Sequence, residues 1–255
     1  MNLEKSVSRR EAVIKECGKA GLKCDIFNAT DGYNINITDL RDNNTFKGID
    51  LKSMPYGRID KNTKYMVTCD PENLAPTKFG YAGHPLSAGE LGIWCSYKRI
   101  WQDITKNQHE ISIIFEDDIK SNVDNLKEKI DIFISHLPAT FDLGFMNFGS
   151  IIPFSLLKNV SFEVNEYVNK WDANYRGVGT AAIVYSNKAA KTLLSYETYS
   201  GAVDVFFWDI AKNDDFKDLY SPLFSQGLLE LYTSSDSIVY PNAASIIGEM
   251  GRDYS

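Results

Sequence analysis

The chain has 255 residues, 44% of them apolar, and a formal net charge of −7. That length suits one large domain, or two small ones sharing a core, and the apolar share argues against disorder. No run of Lys and Arg exceeds two residues, so nucleic acid is not expected as a partner, because neutralising phosphates needs a basic stripe.

The opening, MNLEKSVSRRE, has no apolar stretch after its charges and does not read as a signal peptide. The longest apolar runs, near ISIIF and IIPFSLL, fall far short of a membrane span. Cys17, Cys24, Cys69 and Cys95 show no metal-type clustering, and Cys17 and Cys24 are too far apart for a CxxC pair. In a chain read as cytosolic, free thiols are expected. The sequons at Asn28, Asn36, Asn43 and Asn159 read as accidental.

In chain order, Asn2-Leu3 reads as the end of a first strand. Ser6 or Ser8 can cap a helix in which Val13, Cys17 and Ala20 or Gly21 recur at helical spacing, with Gly21 as its stop. A short strand, CDIFNA, and a TDG turn follow. Strand, helix, strand is the opening of an α/β layer fold. Residues 33–80 are rich in Asn, Asp, Lys, Gly and Thr and weakly periodic, which predicts an irregular insertion. Ser87-Ala-Gly-Glu90 matches a capping box, so a helix should begin near Ala88, with Leu91, Trp94, Trp101 and Ile104 along one side. ISIIFEDD predicts a strand, NVDNLKEKIDIFISHLP an amphipathic helix and FDLGFMNFG a further strand. NYRGVGTAAIVYSNKAAKTLLSY predicts a Gly-rich turn, a strand and a helix, and VDVFFWDIAK another helix. LYSPLFSQ and SSDSIVYP read as irregular.

The strand 111–115 runs into Glu116, Asp117 and Asp118. Strand alternation sends Glu116 and Asp118 to one face and Asp117 to the other. Two carboxylates at the C-terminal end of a strand can hold a hard divalent cation, where open α/β sheets bind their ligands. The plainer alternative is an acidic turn, with Ser121 capping a following helix.

Several segments occur together in order: NLEKSVSRRE, FNATDG, PLSAGELGIWCSYKRIWQDI, IIFEDDI, GVGTAAIVYSNKAAKTLL and AVD. This series resembles glycosyltransferase family 25, the lipooligosaccharide and collagen galactosyltransferases, from Asn2 to about Ser237 apart from the insertion. The resemblance implies an α/β, GT-A-like single domain over 1–255, expected to have a mostly parallel central sheet flanked by helices, with the 33–80 insertion on the acceptor side. It implies a UDP-sugar donor (UDP-galactose above all), Mn²⁺ or Mg²⁺, and inversion at the anomeric carbon.

Carried over residue by residue, Asn2, Leu3 and Arg10 meet the nucleotide, and Ala29, Asp31 and Gly32 form the turn beside it. Glu116, Asp117 and Asp118 match the acidic motif: Asp118 as the metal ligand, Glu116 for metal or ribose, Asp117 as support. Gly179 and Thr180 match a loop near the donor sugar. Asp204 matches the family's late Asp and is the first choice as base, with its helix N-cap role as the alternative; Asp209 is the runner-up. Asp236 is a candidate late metal ligand. Glu90 is either the capping-box acid or a donor contact. Tyr97 stands where the family has His after Ser96, and Ala202 stands where it has Pro. If its helix face lines the site, Tyr97 takes the His position on the acceptor side. Trp171 is the acceptor-side aromatic, whereas Trp94 and Trp101 have core spacing.

The expected activity is galactosyl or related hexosyl transfer to a glycan or glycolipid acceptor of lipooligosaccharide or lipopolysaccharide type. The expected location is the cytoplasm, with peripheral association at the inner membrane. The alternatives are a catalytically inactive nucleotide- or glycan-binding relative, motivated by Tyr97, and a metal-dependent phosphohydrolase using the same acids.

Overall fold

The computed structural model describes residues 1–39, 47–48, 65–69, 77–79, 87–121, 124–146, 161–171, 180–196, 198–199, 203, 206–207, 229–235, 238 and 240–241. The first helix, α1 (Val7–Lys19), buries Val13 and Cys17, one turn apart. It ends at Gly21, whose φ of 67° is the left-handed conformation that glycine adopts without a Cβ clash. The Leu22 amide then returns to the Cys17 carbonyl at 2.9 Å. This reversal brings Cys24 back under the helix, where it is disulfide-bonded to Cys17 with a Cα separation of 6.3 Å. A second disulfide joins Cys69 to Cys95. The expectation of free thiols is therefore corrected: none of the four cysteines is free. Linear spacing misses both pairs because a chain reversal makes one and a sheet-to-helix contact the other. The strand expected over CDIFNA is reduced to one parallel bridge between Asn2 and Asn28.

The segment 33–80 is not simply irregular. It carries β1 (Asn36–Asp39), β2 (Lys47–Gly48), β3 (Tyr65–Thr68) and β4 (Thr77–Phe79). Together with β11 (Thr198–Tyr199) they form a sheet of order β11-β4-β3-β1-β2. Strands of two to four residues are too short to show a period in sequence. Ile37 and Val67 bury into the core beside α2 (Ala88–Lys106), and Cys69–Cys95 ties this sheet to that helix.

The central sheet contains β5 (Ile111–Phe115), β7 (Leu143–Phe145), β8 (Ser161–Asn165), β9 (Val168–Trp171), β10 (Ala182–Ser186) and β12 (Leu231–Ser234). Its order is β5-β10-β7-β12-β9-β8. Only β7 and β12 pair in parallel; the other four pairings are antiparallel. The expected mostly parallel sheet is thus corrected to a mixed, mainly antiparallel one, still flanked by helices. One reason is local: β8 and β9 are joined by a tight turn, and a short hairpin can pair only antiparallel. A small ladder pairs β6 (Ile119–Lys120) with β13 (Tyr240–Pro241).

Strand β10 shows how the layers form. Ile183 and Tyr185 face a core shared with Leu91, Trp94 and Trp101 of α2 and Leu193 of α4 (Asn187–Ser195). Ala182 and Val184 face the other core, with Val13 of α1 and Ile130 and Phe133 of α3 (Leu126–His136). Both faces are buried, so the strand reads as an unbroken apolar run. Gly144 in β7 admits the Phe133 ring, which a Cβ there would meet at 3.1 Å. Of the helix expected over VDVFFWDIAK, Val203, Phe206 and Phe207 are described; they are helical and buried against α2. The pairing directions bring the C-terminal ends of β5, β7 and β12 and the start of β10 to one edge of the sheet.

Candidate functional site

At that edge a pocket of about 400 Å³ opens, within the range of small-molecule sites. Four separate pieces of chain wall it: Met1–Leu3 with Lys5 and Arg9, the turn Ala29–Tyr33, the start of α2, and Glu116–Asp118 beyond β5.

Two glycines bring the turn onto α2. A Cβ on Gly32 would lie 1.6 Å from the Ala88 carbonyl oxygen, and one on Gly92 would lie 2.6 Å from that of Thr30. Polar contacts fix the crossing. The Thr30 amide donates to Ser96 Oγ at 2.8 Å, and Ser96 Oγ donates to the Gly92 carbonyl at 2.7 Å. Arg99 donates to the Asn28 carbonyl and to Thr30 Oγ1. Asp31 accepts from the Tyr33 amide at 3.2 Å and pairs with Lys5 at 2.6 Å. Glu90 closes the expected capping box, accepting from the Ser87 amide at 2.6 Å, and also lines the pocket.

The three consecutive acids are held differently. Strand β5 ends at Phe115, and a turn follows at Asp117–Asp118. Alternation therefore stops governing direction, and all three acids line the same pocket rather than splitting between faces. Glu116 Oε1 accepts from Thr180 Oγ1 and, at 3.3 Å, from the Tyr97 hydroxyl. The Glu116 amide donates to the Ala181 carbonyl at 2.9 Å. Asp117 Oδ2 accepts from Asn2 Nδ2 at 2.6 Å, and its Oδ1 lies 3.3 Å from Arg9 Nη1. Asp118 brings a carboxylate whose Oδ1 is buried.

Of the residues expected at the donor, the pocket gathers Asn2, Leu3, Ala29, Asp31, Gly32, Glu90, Glu116, Asp117 and the metal candidate Asp118. Thr180 joins them from behind, through Glu116. Arg10 does not line the pocket; it turns back to Asn2 Oδ1 at 3.0 Å and the Glu4 carbonyl. Tyr97 is corrected from an acceptor-side group to a core residue. It is 0% exposed, it is ringed by Trp101, Tyr185 and Phe207, and burial first, then the Glu116 charge, pushes its hydroxyl well above the usual tyrosine range. Its helix neighbour Ser96 takes the pocket-facing position instead. Trp171 is also not brought to the site: it ends β9, which runs antiparallel to β12, at the opposite edge of the sheet. Asp204, Asp209, Gly179 and Asp236 lie outside the described residues.

Sequence reasoning misses Lys5, Arg9, Tyr33 and Ser96. A signal is present for Lys5 and Arg9, two cations four residues apart at the start of α1. Among the described residues, no three His, Cys, Asp or Glu side chains converge into a metal cage. The donors present are oxygen-only, five carboxylates against the side-chain cations of Lys5 and Arg9. Such a set fits a hard cation that draws the rest of its shell from a phosphate-bearing ligand and water, not one enclosed by protein.

A model of the family described as "Glycosyltransferase family 25 (LPS biosynthesis protein)" matches residues 1–207. The chain belongs to glycosyltransferase family 25. The family-25 match takes in every segment that walls the pocket and ends before Asp209 and Asp236. Procollagen galactosyltransferase 1 of Danio rerio is 27% identical over 123 residues, 48% of this chain and 16% of that protein. Procollagen galactosyltransferase 2 of Homo sapiens is 22% identical over 120 residues, 47% of this chain and 15% of that protein. The chain thus aligns with about a sixth of the length of these relatives.

Proposed function

We propose that this family-25 chain is a metal-dependent, inverting glycosyltransferase that moves galactose or a related hexose from a UDP-sugar to a hydroxyl of a glycan acceptor. One observation carries this reading. Four segments far apart in sequence converge on one pocket in which acidic side chains outnumber basic ones, and they are segments on which the family resemblance rests. A diphosphate is repelled by such a pocket unless a cation enters with it.

Asp118 is the ligand for Mn²⁺ or Mg²⁺, with Glu116 and Asp117 fixed on either side by their own hydrogen bonds. When bound, the ion acts as a Lewis acid on the leaving diphosphate. The acceptor oxygen bonds to the anomeric carbon from the face opposite the diphosphate, the carbon–oxygen bond to the diphosphate breaks, and UDP departs. The acceptor's proton goes to a carboxylate, for which Asp204 is the candidate.

The family description names lipopolysaccharide biosynthesis and the two relatives are named for procollagen; a lipooligosaccharide or lipopolysaccharide glycan is the acceptor proposed here. The paired cysteines do not favour the expected cytoplasmic location, since disulfides persist in oxidising compartments. No helix among the described residues is long and apolar enough to cross a membrane.

A panel of UDP-sugars scored by thermal shift, with and without Mn²⁺, tests the donor. UDP-galactose with Mn²⁺ should raise the melting temperature most, and Asp118→Ala should abolish the Mn²⁺-dependent part. Release of phosphate from simple phosphate esters, with no shift by any UDP-sugar, would favour the phosphohydrolase and sink this reading.

A further inference from the structure

Arg9 and Arg10 are adjacent in sequence and both half-buried, but have different partners. Arg10 turns back along the chain, donating through Nε to Asn2 Oδ1 at 3.0 Å and through Nη2 to the Glu4 carbonyl. Arg9 lines the pocket, with its side chain 35% exposed. Between them runs a line of fixed contacts. Asn2 is 1% exposed, accepts from Arg10, and donates from Nδ2 to Asp117 Oδ2 at 2.6 Å and to the Ser6 carbonyl at 3.2 Å. The other oxygen of Asp117, a side chain only 11% exposed, lies 3.3 Å from Arg9 Nη1. Each member is anchored by the one before it, so the line ends in a guanidinium held at the wall of an open pocket.

We infer that Arg9 is the residue that binds the diphosphate of the ligand, and that Asp117 acts as its orienting group, not as a metal ligand. This rests on the diphosphate-ligand reading of the pocket. Both oxygens of Asp117 are committed, one to a 2.6 Å bond from a buried amide and one to the guanidinium. A cation bound at Oδ1 would lie against the Arg9 guanidinium, 3.3 Å away, and be repelled by it. The guanidinium is a planar fork of donors that matches two phosphate oxygens at once, which an ammonium cannot do. Its side chain comes from the first turn of α1, and Arg9 and Asp118 line the same pocket, so a diphosphate bound there would have within its reach both the guanidinium and the carboxylate that would hold the cation.

The test is calorimetric titration of inorganic pyrophosphate in the presence of Mn²⁺ into the full chain and three variants. Arg9→Gln should weaken binding by roughly 10- to 100-fold, the cost of losing a charge-assisted contact. Arg9→Lys, which keeps the charge but not the fork, should fall between Arg9→Gln and wild type. Arg10→Gln, which removes the first contact of the line but leaves the Arg9 fork in place, should lower the melting temperature and weaken binding less than Arg9→Gln. Wild-type affinity in Arg9→Gln, or no binding of pyrophosphate by the wild-type chain, would overturn the inference. Its failure is separable from that of the donor reading. Pyrophosphate binding through Arg9 with no response to any UDP-sugar sinks only the donor. UDP binding that is equal in wild type and Arg9→Gln sinks only the role of Arg9.

Discussion

Thr180 Oγ1 donates to Glu116 Oε1, joining the start of β10 to the acid that follows β5. The two residues are 64 positions apart and come from the GVGTAA and EDD segments. Next to them the Glu116 amide donates to the Ala181 carbonyl at 2.9 Å, so side chain and backbone clasp the same two strands. Tyr97 closes the group from α2, its hydroxyl proton shared between Glu116 Oε1 and the Thr180 carbonyl, each 3.3 Å away.

Removing one donor from this group should loosen Glu116 without unfolding the chain. Thr180→Val and Tyr97→Phe should each cost about 1–2 kcal/mol in denaturant unfolding, since each takes a hydrogen bond from a buried or half-buried acceptor. The double variant should be non-additive, because both donors act on one oxygen. UDP-sugar affinity, measured by titration, should fall several-fold in both. Strict additivity would show that the two contacts are independent.

The crossing of the turn with α2 has no room for a methyl group. Gly32→Ala and Gly92→Ala should each destabilise by about 3 kcal/mol or more, because the added Cβ meets backbone oxygen at 1.6 Å and 2.6 Å. Gly18, late in α1, has nothing within 4 Å of the place a methyl group would take, so Gly18→Ala should stabilise by up to about 1 kcal/mol. Thermal melts of the three variants, compared side by side, check the contrast.

Both disulfides should be countable. Under denaturing, non-reducing conditions, alkylation should label none of the four cysteines, and all four after reduction. From loop closure alone, Cys69–Cys95, which spans 26 residues, should contribute about 3 kcal/mol and Cys17–Cys24, spanning seven, about 2 kcal/mol. Reductant should therefore lower the melting temperature, with Cys69→Ser/Cys95→Ser losing more than Cys17→Ser/Cys24→Ser.

Lys98 in α2 is 6% exposed, and burial lowers its pKa to about 8 from 10.5. The folded state therefore binds fewer protons than the unfolded one between pH 8 and 10.5, and stability contributed through Lys98 rises with pH across that window. Above pH 10 the buried tyrosines Tyr97, Tyr185, Tyr196 and Tyr232 work in the opposite direction. Their folded-state pKa values are raised, so stability is lost as the unfolded hydroxyls ionise. Urea unfolding at pH 7 and pH 9.5 should show a gain in the wild type that Lys98→Met lacks. An equal slope in both proteins would refute the assignment to Lys98.

What is legible in the sequence is local. The Ser87–Glu90 capping box forms as written, because the two groups that satisfy it are three residues apart. Gly21 ends α1, because a left-handed residue is needed there and glycine supplies it. The hairpin of β8 and β9 and the central strand β12 carry no such signal. Leu231–Ser234 is only four residues long, and its burial depends on β7 and β9 on either side. Alternation misplaces Asp117 because it is carried past the last strand residue, Phe115, into a turn.

By itself the sequence determined the helices, the apolar run of β5 and the set of acids that follows it, since period, caps and composition are short-range properties of the chain. Only the tertiary structure decided which strands pair and in which direction, which cysteines meet, and that Arg9 faces the pocket while Arg10 and Tyr97 hold it from behind. Those outcomes depend on groups far apart in the chain, such as Asn2 and Asp117, 115 residues apart. Their contact forms only once the burial of both faces of the sheet has fixed where each strand must end.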